Sequence, residues 1–260
     1  MLLSSPMKSL LFSLILTLIP HAFAEDLGWQ PMNGVKGVQH TTANSGRLMI
    51  LKVDPTVAPL TLINASKTEF NSNLRSTSER EGLLIGTNAA MFRDDDLTSI
   101  GYMRNFDHIN ASKHRSNLKG ILAFNPRKKG RAAVKIIMKD GSWETEMRNY
   151  DTVFESYRMI GRNSKGQWES KWNKGASIHH NVALAGVDSK DQLLIFFHRD
   201  SIDIYDLNNI IIALPLDLKA LIYLDGGWHG GLYLHPSTGV GADTGFLNVP
   251  NVLGVKFPAQ

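Results

Sequence analysis

The run Leu221-Ile222-Tyr223-Leu224-Asp225-Gly226-Gly227-Trp228-His229-Gly230-Gly231 carries an apolar, strand-like segment into a carboxylate and then into glycines. Glycines directly after a strand let the backbone take positive φ and pass close to a ligand, while the strand fixes where the preceding acid points. An acid held in this way can take a proton from water or attack a reacting centre. The same pattern also suits a tight turn whose aspartate accepts turn amides, and the run by itself does not choose between the two. Other residues with chemical potential are Asn88, Arg158, the His179-His180 pair and His198. Each has a structural alternative: Asn88 can hold a turn, Arg158 can form a surface salt bridge, and His198-Arg199-Asp200 can be the polar end of a strand.

Metal and thiol chemistry find little in the chain to work with. There is no cysteine, which excludes disulfides, thiolate nucleophiles, zinc–thiolate sites and a lipidated cysteine behind a leader. The run Asp94-Asp95-Asp96 lacks the spaced ligands and the glycine of a calcium loop and reads as an exposed acidic loop; it is compatible with a divalent cation without indicating one. His229 and His235 come without a third ligand for zinc. No metal ligand is assigned, and no cofactor is expected. The formal charge is +4, of which Lys8 contributes one. Its local excess, Arg127, Lys128, Lys129 and Arg131 after Asn125-Pro126, reads as a solvated turn. Nucleic acid is not expected as a partner, because no broad basic face with interleaved aromatics is visible. Anionic glycans and phosphate esters are compatible.

The elements that must position these residues are mostly short strands. Ahead of them, Lys8, the apolar run 9–19, Pro20 and Ala22-Phe23-Ala24 before Glu25 read as a cleavable secretory signal over 1–24, which leaves one domain over 25–260 and predicts a periplasmic or secreted protein. No later stretch approaches the roughly 18 apolar residues that cross a bilayer, so no membrane span is expected. Residues 47–53 and 60–64, separated by Asp54-Pro55, read as neighbouring strands joined by a turn. Residues 73–81 read as a short helix, 83–87 as a strand running into Asn88, and 120–124 and 132–138 as two more strands, with a turn at Asp140-Gly141. Residues 181–187 and 192–197 flank Asp188-Ser189-Lys190-Asp191 as a deeply buried hairpin. Over 204–214, Ile204, Leu207, Ile211 and Leu214 fall on one helical face, with Asp203 as cap, Asp206 in the first turn and Pro215 limiting continuation. The fold class is α+β: a single domain with a large mixed or mostly antiparallel sheet and few helices.

Taken in order, Ile85-Gly86-Thr87-Asn88-Ala89-Ala90-Met91-Phe92, Ser156-Tyr157-Arg158-Met159-Ile160, the hairpin, the helix after Asp203 and Tyr223-Leu224-Asp225-Gly226-Gly227 resemble the phosphodiester glycosidases. These are secreted or lumenal proteins similar to the enzyme that uncovers mannose 6-phosphate, with bacterial relatives associated with exopolysaccharide. The resemblance implies a hydrolase that cleaves a glycosyl phosphodiester or a related phosphate-containing glycan. A phosphate ester leaves with less acid assistance than an alcohol, so one aimed carboxylate with cationic phosphate contacts can suffice. On that basis Asp225 is expected as general base or nucleophile, and Gly226 and Gly227 as the close backbone approach or as amides for phosphate oxygens. Asn88 is expected on a sugar hydroxyl, Arg158 as anion clamp, His180 and His198 in proton transfer or phosphate contact, and Trp228 stacked on a sugar face. Two departures stand out. Trp228-His229 follows the glycines where many relatives carry small hydroxyl residues, and His179-His180-Asn181 stands where an arginine often enters the hairpin. Histidine lacks the bidentate fork of arginine, which keeps open a second class: a non-catalytic glycan-binding or envelope-assembly protein on the same fold.

Overall fold

The longest apolar runs of the chain pair with one another. In the computed structural model, which describes residues 27–93, 97–241 and 247–257, six antiparallel strands form a central sheet in the order Gln30–Pro31, Val38–Ala43, Leu48–Val53, Leu193–His198, Val182–Asp188, Leu218–Asp225. The secretory signal expected over 1–24 and the Asp94-Asp95-Asp96 run lie outside the described residues. Leu48–Val53, Leu193–His198 and Val182–Asp188 are mostly apolar rather than alternating because both faces of the sheet are covered there. One face, with Leu51, Ile195, Ala185 and Leu224, shares a core with two further sheets. The other, with Ile50, Phe196, Leu184 and Tyr223, lies under the helix Ile204–Ala213 through Ile204, Leu207 and Ile211.

The second sheet runs His108–Ala111, Met103–Asn105, Tyr150–Ser156, Gly120–Pro126, Val134–Met138, and the third Leu232–Leu234, Leu83–Asn88, Asn251–Lys256, Leu60–Asn64. All their pairings are antiparallel. The hairpin forms as expected, with Val182 opposite His198 and Val187 opposite Leu193. The helix Leu74–Arg80 is capped by Asn73, whose side chain accepts from the Ser76 amide at 2.9 Å, and Ile204–Ala213 by Asp203, which accepts from the Tyr205 amide at 2.8 Å. Asn208, fully buried in the second helix, donates to the Met159 carbonyl at 3.0 Å and to Ser170 Oγ at 2.9 Å. It thereby ties the helix to the small hairpin Ile160–Arg162 and Trp168–Ser170.

One expected pairing is not made. Leu48–Val53 and Leu60–Asn64 are consecutive strands in different sheets, the first between Val38–Ala43 and Leu193–His198, the second against Asn251–Lys256. The Asp54 turn is present, with the Thr56 amide donating to Asp54 Oδ1 at 2.9 Å, but it carries the chain across the shared core instead of folding it back. The mostly antiparallel strands expected of an α+β domain with few helices are thus found, distributed over three main sheets that share one core. Among the described residues no helix is long and apolar enough to cross a membrane.

Candidate functional site

Asp225 is the last residue of the strand Leu218–Asp225 and is 9% exposed. Pairing with the hairpin shifts register there: Leu184 faces Tyr223 while Ala183 faces Asp225, so Leu224 is an extra residue. Such bulges re-aim the side chain that follows. Asp225 Oδ1 accepts the Gly226 amide at 2.8 Å. The charge of Asp225 also reaches Tyr223, whose phenol is pushed far up, first by burial and then by this carboxylate.

The two glycines that follow do different jobs. Gly226 is extended (φ −154°), so its backbone would suit any residue, but a Cβ there would lie 2.5 Å from Tyr223 Oη and 3.2 Å from His179. Gly227 takes φ 72° in the left-handed region and opens a short 3₁₀ turn, Gly227–His229. Its amide donates to the His180 carbonyl at 2.6 Å. The amides of Gly226 and Gly227 are thus both engaged within the loop, not left facing outward for phosphate oxygens as the sequence suggested. At the tip of the turn Trp228 is 71% exposed.

The far end of the turn is held by the third sheet. Asn88 Nδ2 donates to the His229 carbonyl at 2.6 Å, Asn88 Oδ1 accepts the Gly231 amide at 2.9 Å, and Thr87 Oγ1 donates to the Gly231 carbonyl at 2.9 Å. Both residues are fully buried. Asn88 therefore fixes the loop that carries Trp228, in place of the sugar contact expected from the sequence. The His229 ring packs edge-on against Phe92 with centroids 5.0 Å apart.

Of the His179-His180 pair, His179 is the one whose side chain lies against the loop. It is half-buried, its ring packs on Tyr223 at 6.0 Å, its Nε2 meets Ser177 Oγ at 2.6 Å, and burial lowers its pKa, which favours the neutral imidazole. His180 is exposed, and its backbone carbonyl, rather than its ring, contacts the glycine turn. The sequence points to His180, whereas strand alternation in Ile178–His179 turns the His179 side chain inward and leaves the His180 ring exposed. His198 is 2% exposed, on the same sheet as Asp225 but two strands away across Val182–Asp188. Asn44 Nδ2 donates to its Nε2 at 3.1 Å, which leaves Nδ1 as the protonated nitrogen that donates to the Asp200 carbonyl at 3.0 Å. Burial lowers its pKa as well. Both ring nitrogens are engaged in local structure, so His198 is a sealed ring two strands from Asp225, not placed for the proton transfer expected of it.

Arg158 follows the second sheet's strand Tyr150–Ser156 and forms an isolated bridge with Ile222, three residues ahead of Asp225. Its Nε donates to the Ile160 carbonyl at 2.7 Å, and its guanidinium lines an open cavity with Lys171 and Trp172. A row of rings joins that cavity to the Asp225 loop: Tyr157 to Trp172 at 5.6 Å, Trp172 to Tyr223 at 6.1 Å and Tyr223 to His179. Arg158 thus lies on the Tyr157 side of Tyr223, next to Ile222 and Ile160. Among the described residues no group of three or more histidine, aspartate or glutamate side chains is arranged to hold a metal ion.

No family model and no curated protein matches the sequence. Solved structures do match by fold. The zebrafish N-acetylglucosamine-1-phosphodiester alpha-N-acetylglucosaminidase catalytic domain, auto-inhibited by its pro-peptide, superposes with a TM-score of 0.58 at 10% identity, over 88% of this chain and 87% of that one. A protein of Synechocystis gives 0.56 at 11% identity, over 87% of this chain and 61% of its own. A Burkholderia pseudomallei protein described as exported gives 0.53 at 10% identity, over 86% and 76%. At these identities the likeness is one of fold: the chain shares its architecture with a phosphodiester glycosidase and with an exported bacterial protein.

Proposed function

We propose that this protein is a secreted hydrolase of glycosyl phosphodiesters or related phosphate-containing glycans that works from the Asp225 loop. The observation that carries the reading is the placement of Asp225: a buried carboxylate, re-aimed by a bulge at a strand end, two residues ahead of Gly227, which has open space where a side chain would start. As base, Asp225 takes a proton from a water that attacks the anomeric carbon; as nucleophile, it forms a glycosyl ester that water then hydrolyses. Either way the sugar carbon–oxygen bond breaks and the phosphate monoester leaves with the electron pair. Such a leaving group asks for little acid assistance, so the neutral His179 imidazole is needed only as a hydrogen-bond partner. Trp228 offers an exposed ring for a sugar face, and Arg158 a cation on the Tyr157 side of Tyr223.

Sugar release from a panel of glycosyl phosphodiesters, compared between the wild type and Asp225→Asn, tests this reading. Turnover should fall by about 10²- to 10⁴-fold in the variant, the range expected for loss of an acid–base group. Unchanged turnover in a folded Asp225→Asn protein would sink it. The second reading, a non-catalytic glycan-binding protein on the same fold, is favoured by the exposed His180 where the resemblance expects arginine. It predicts glycan affinity without turnover, retained in Asp225→Asn.

A further inference from the structure

The cavity on the far side of Tyr223, about 480 Å³ in volume, sets Lys119, Arg158 and Lys171 around the rings of Tyr157 and Trp172. Arg158 and Lys171 converge over Gly161, where a Cβ would lie 2.8 Å from Arg158 Nη2 and 2.1 Å from Lys171 Cε. Lys171 has an exposed ion pair with Glu169 at 2.6 Å. The Arg158 guanidinium donates to the Ile160 carbonyl, and among the described residues neither it nor Lys119 has a carboxylate within ion-pair distance. Cations crowded in this way repel one another, and an anion placed between them relieves that repulsion.

The walls of this cavity are held in place before any ligand arrives. Asn117, on the same rim, donates to Tyr157 Oη at 3.1 Å. The loop that carries Asn117 and Lys119 is anchored on Glu155, which is fully buried and accepts the Arg115 amide at 3.0 Å and His114 Nδ1 at 2.6 Å. On the other wall Ser170 Oγ bonds both the amide and the carbonyl of Trp172 at 3.1 Å and is itself held by the buried Asn208. A ring face for an apolar sugar surface, a planar guanidinium and two ammonium groups for an acidic substituent are the elements of acidic-sugar recognition.

We infer that this cavity is a second sugar subsite, which takes a glycan residue bearing a carboxylate or a phosphate while the linkage to be cut lies at the Asp225 loop. The inference rests on the proposed glycosidase reading for that linkage; the acidic-sugar specificity rests on the cavity alone. The aromatic row that connects the cavity to Asp225 is what favours a glycan over single-stranded nucleic acid, which also uses rings and cations.

Calorimetric titration of the full chain with tetragalacturonate, a phosphorylated maltotetraose, neutral maltotetraose and an oligothymidylate tests it, in wild type, Lys119→Ala/Lys171→Ala and Asp225→Asn proteins. At least one acidic oligosaccharide should bind and maltotetraose should not; which acidic probe binds more tightly distinguishes carboxylate from phosphate. The double variant should weaken that binding by about tenfold or more and flatten its salt dependence. Asp225→Asn should keep affinity within about twofold, so failure of the catalytic reading and failure of the subsite are seen separately. Absence of acidic-glycan binding, equal binding of maltotetraose, an unchanged affinity in the double variant, or tighter binding of the oligothymidylate would each overturn the inference.

Discussion

Two buried carboxylates sit on strands that touch, and they are treated in opposite ways. Glu155 and Asp225 belong to neighbouring sheets joined where the Ser156 hydroxyl donates to the Tyr223 carbonyl. Glu155 is enclosed by donors: the amides of Tyr102 and Arg115, His114 Nδ1, and Lys139 Nζ at 2.7 Å, under a stack of Tyr102, His114 and Trp143. Asp225 instead opens a chain reversal built from glycines, with a half-buried imidazole on one side and an exposed tryptophan at the tip. Burial of an acid is common to both; what differs is that Glu155 lies under packed rings, while Asp225 heads a glycine turn with open space at Gly227. The first arrangement locks a loop, and the second ends a strand in a turn with an exposed tip.

Breaking this contrast should show first in stability. Glu155→Ala strands Lys139, whose side chain is 7% exposed, and two amides, and should lose about 3–5 kcal/mol in urea unfolding; Asp225→Asn should lose about 1 kcal/mol or less. Equal losses would erase the distinction. Next in size, Gly226→Ala should cost about 1–3 kcal/mol by overpacking against Tyr223 Oη, and adding Tyr223→Phe, which removes that oxygen, should recover most of it. If the double variant is no better than the single, the glycine is required for some other reason.

The smallest effect concerns pH. His198 and His179 are held neutral by burial, while in the unfolded chain they bind a proton below the ordinary value of 6.5. The unfolded state therefore gains protons first, and stability should be full above that pH and decline as pH falls through it. Thermal melts between about pH 7.5 and pH 5 should decline less steeply for His198→Gln than for the wild type. Parallel slopes would remove His198 from the account.

Which of these features the sequence disclosed follows from how local their causes are. The Val182–Asp188 hairpin, the Asp203 cap and the strand ending at Asp225 are written in adjacent residues, and they were legible. Glu155 was not, because its strand, Tyr150–Ser156, carries polar residues on positions that only distant partners bury, and its four donors come from residues 102–139. The split of Leu48–Val53 and Leu60–Asn64 into separate sheets was hidden for the same reason: turn chemistry at Asp54 reports a change of direction, while Leu193–His198 and Asn251–Lys256 decide the destination. The wall of the second cavity is assembled from three separate stretches, around 117–119, 157–158 and 171–172, so no single motif could announce it. His179 was within reach, since alternation alone separates it from His180.

The contacts that His180, Asn88 and Thr87 make to the Gly227–His229 turn and to Gly231 behind it fall on backbone atoms: the Gly227 amide, the His229 carbonyl, and the amide and carbonyl of Gly231. None of them involves the side chain at 228. The scaffold therefore treats that position as an interchangeable tool tip, mounted on a fixed handle, where a new side chain can be fitted without rebuilding the mount.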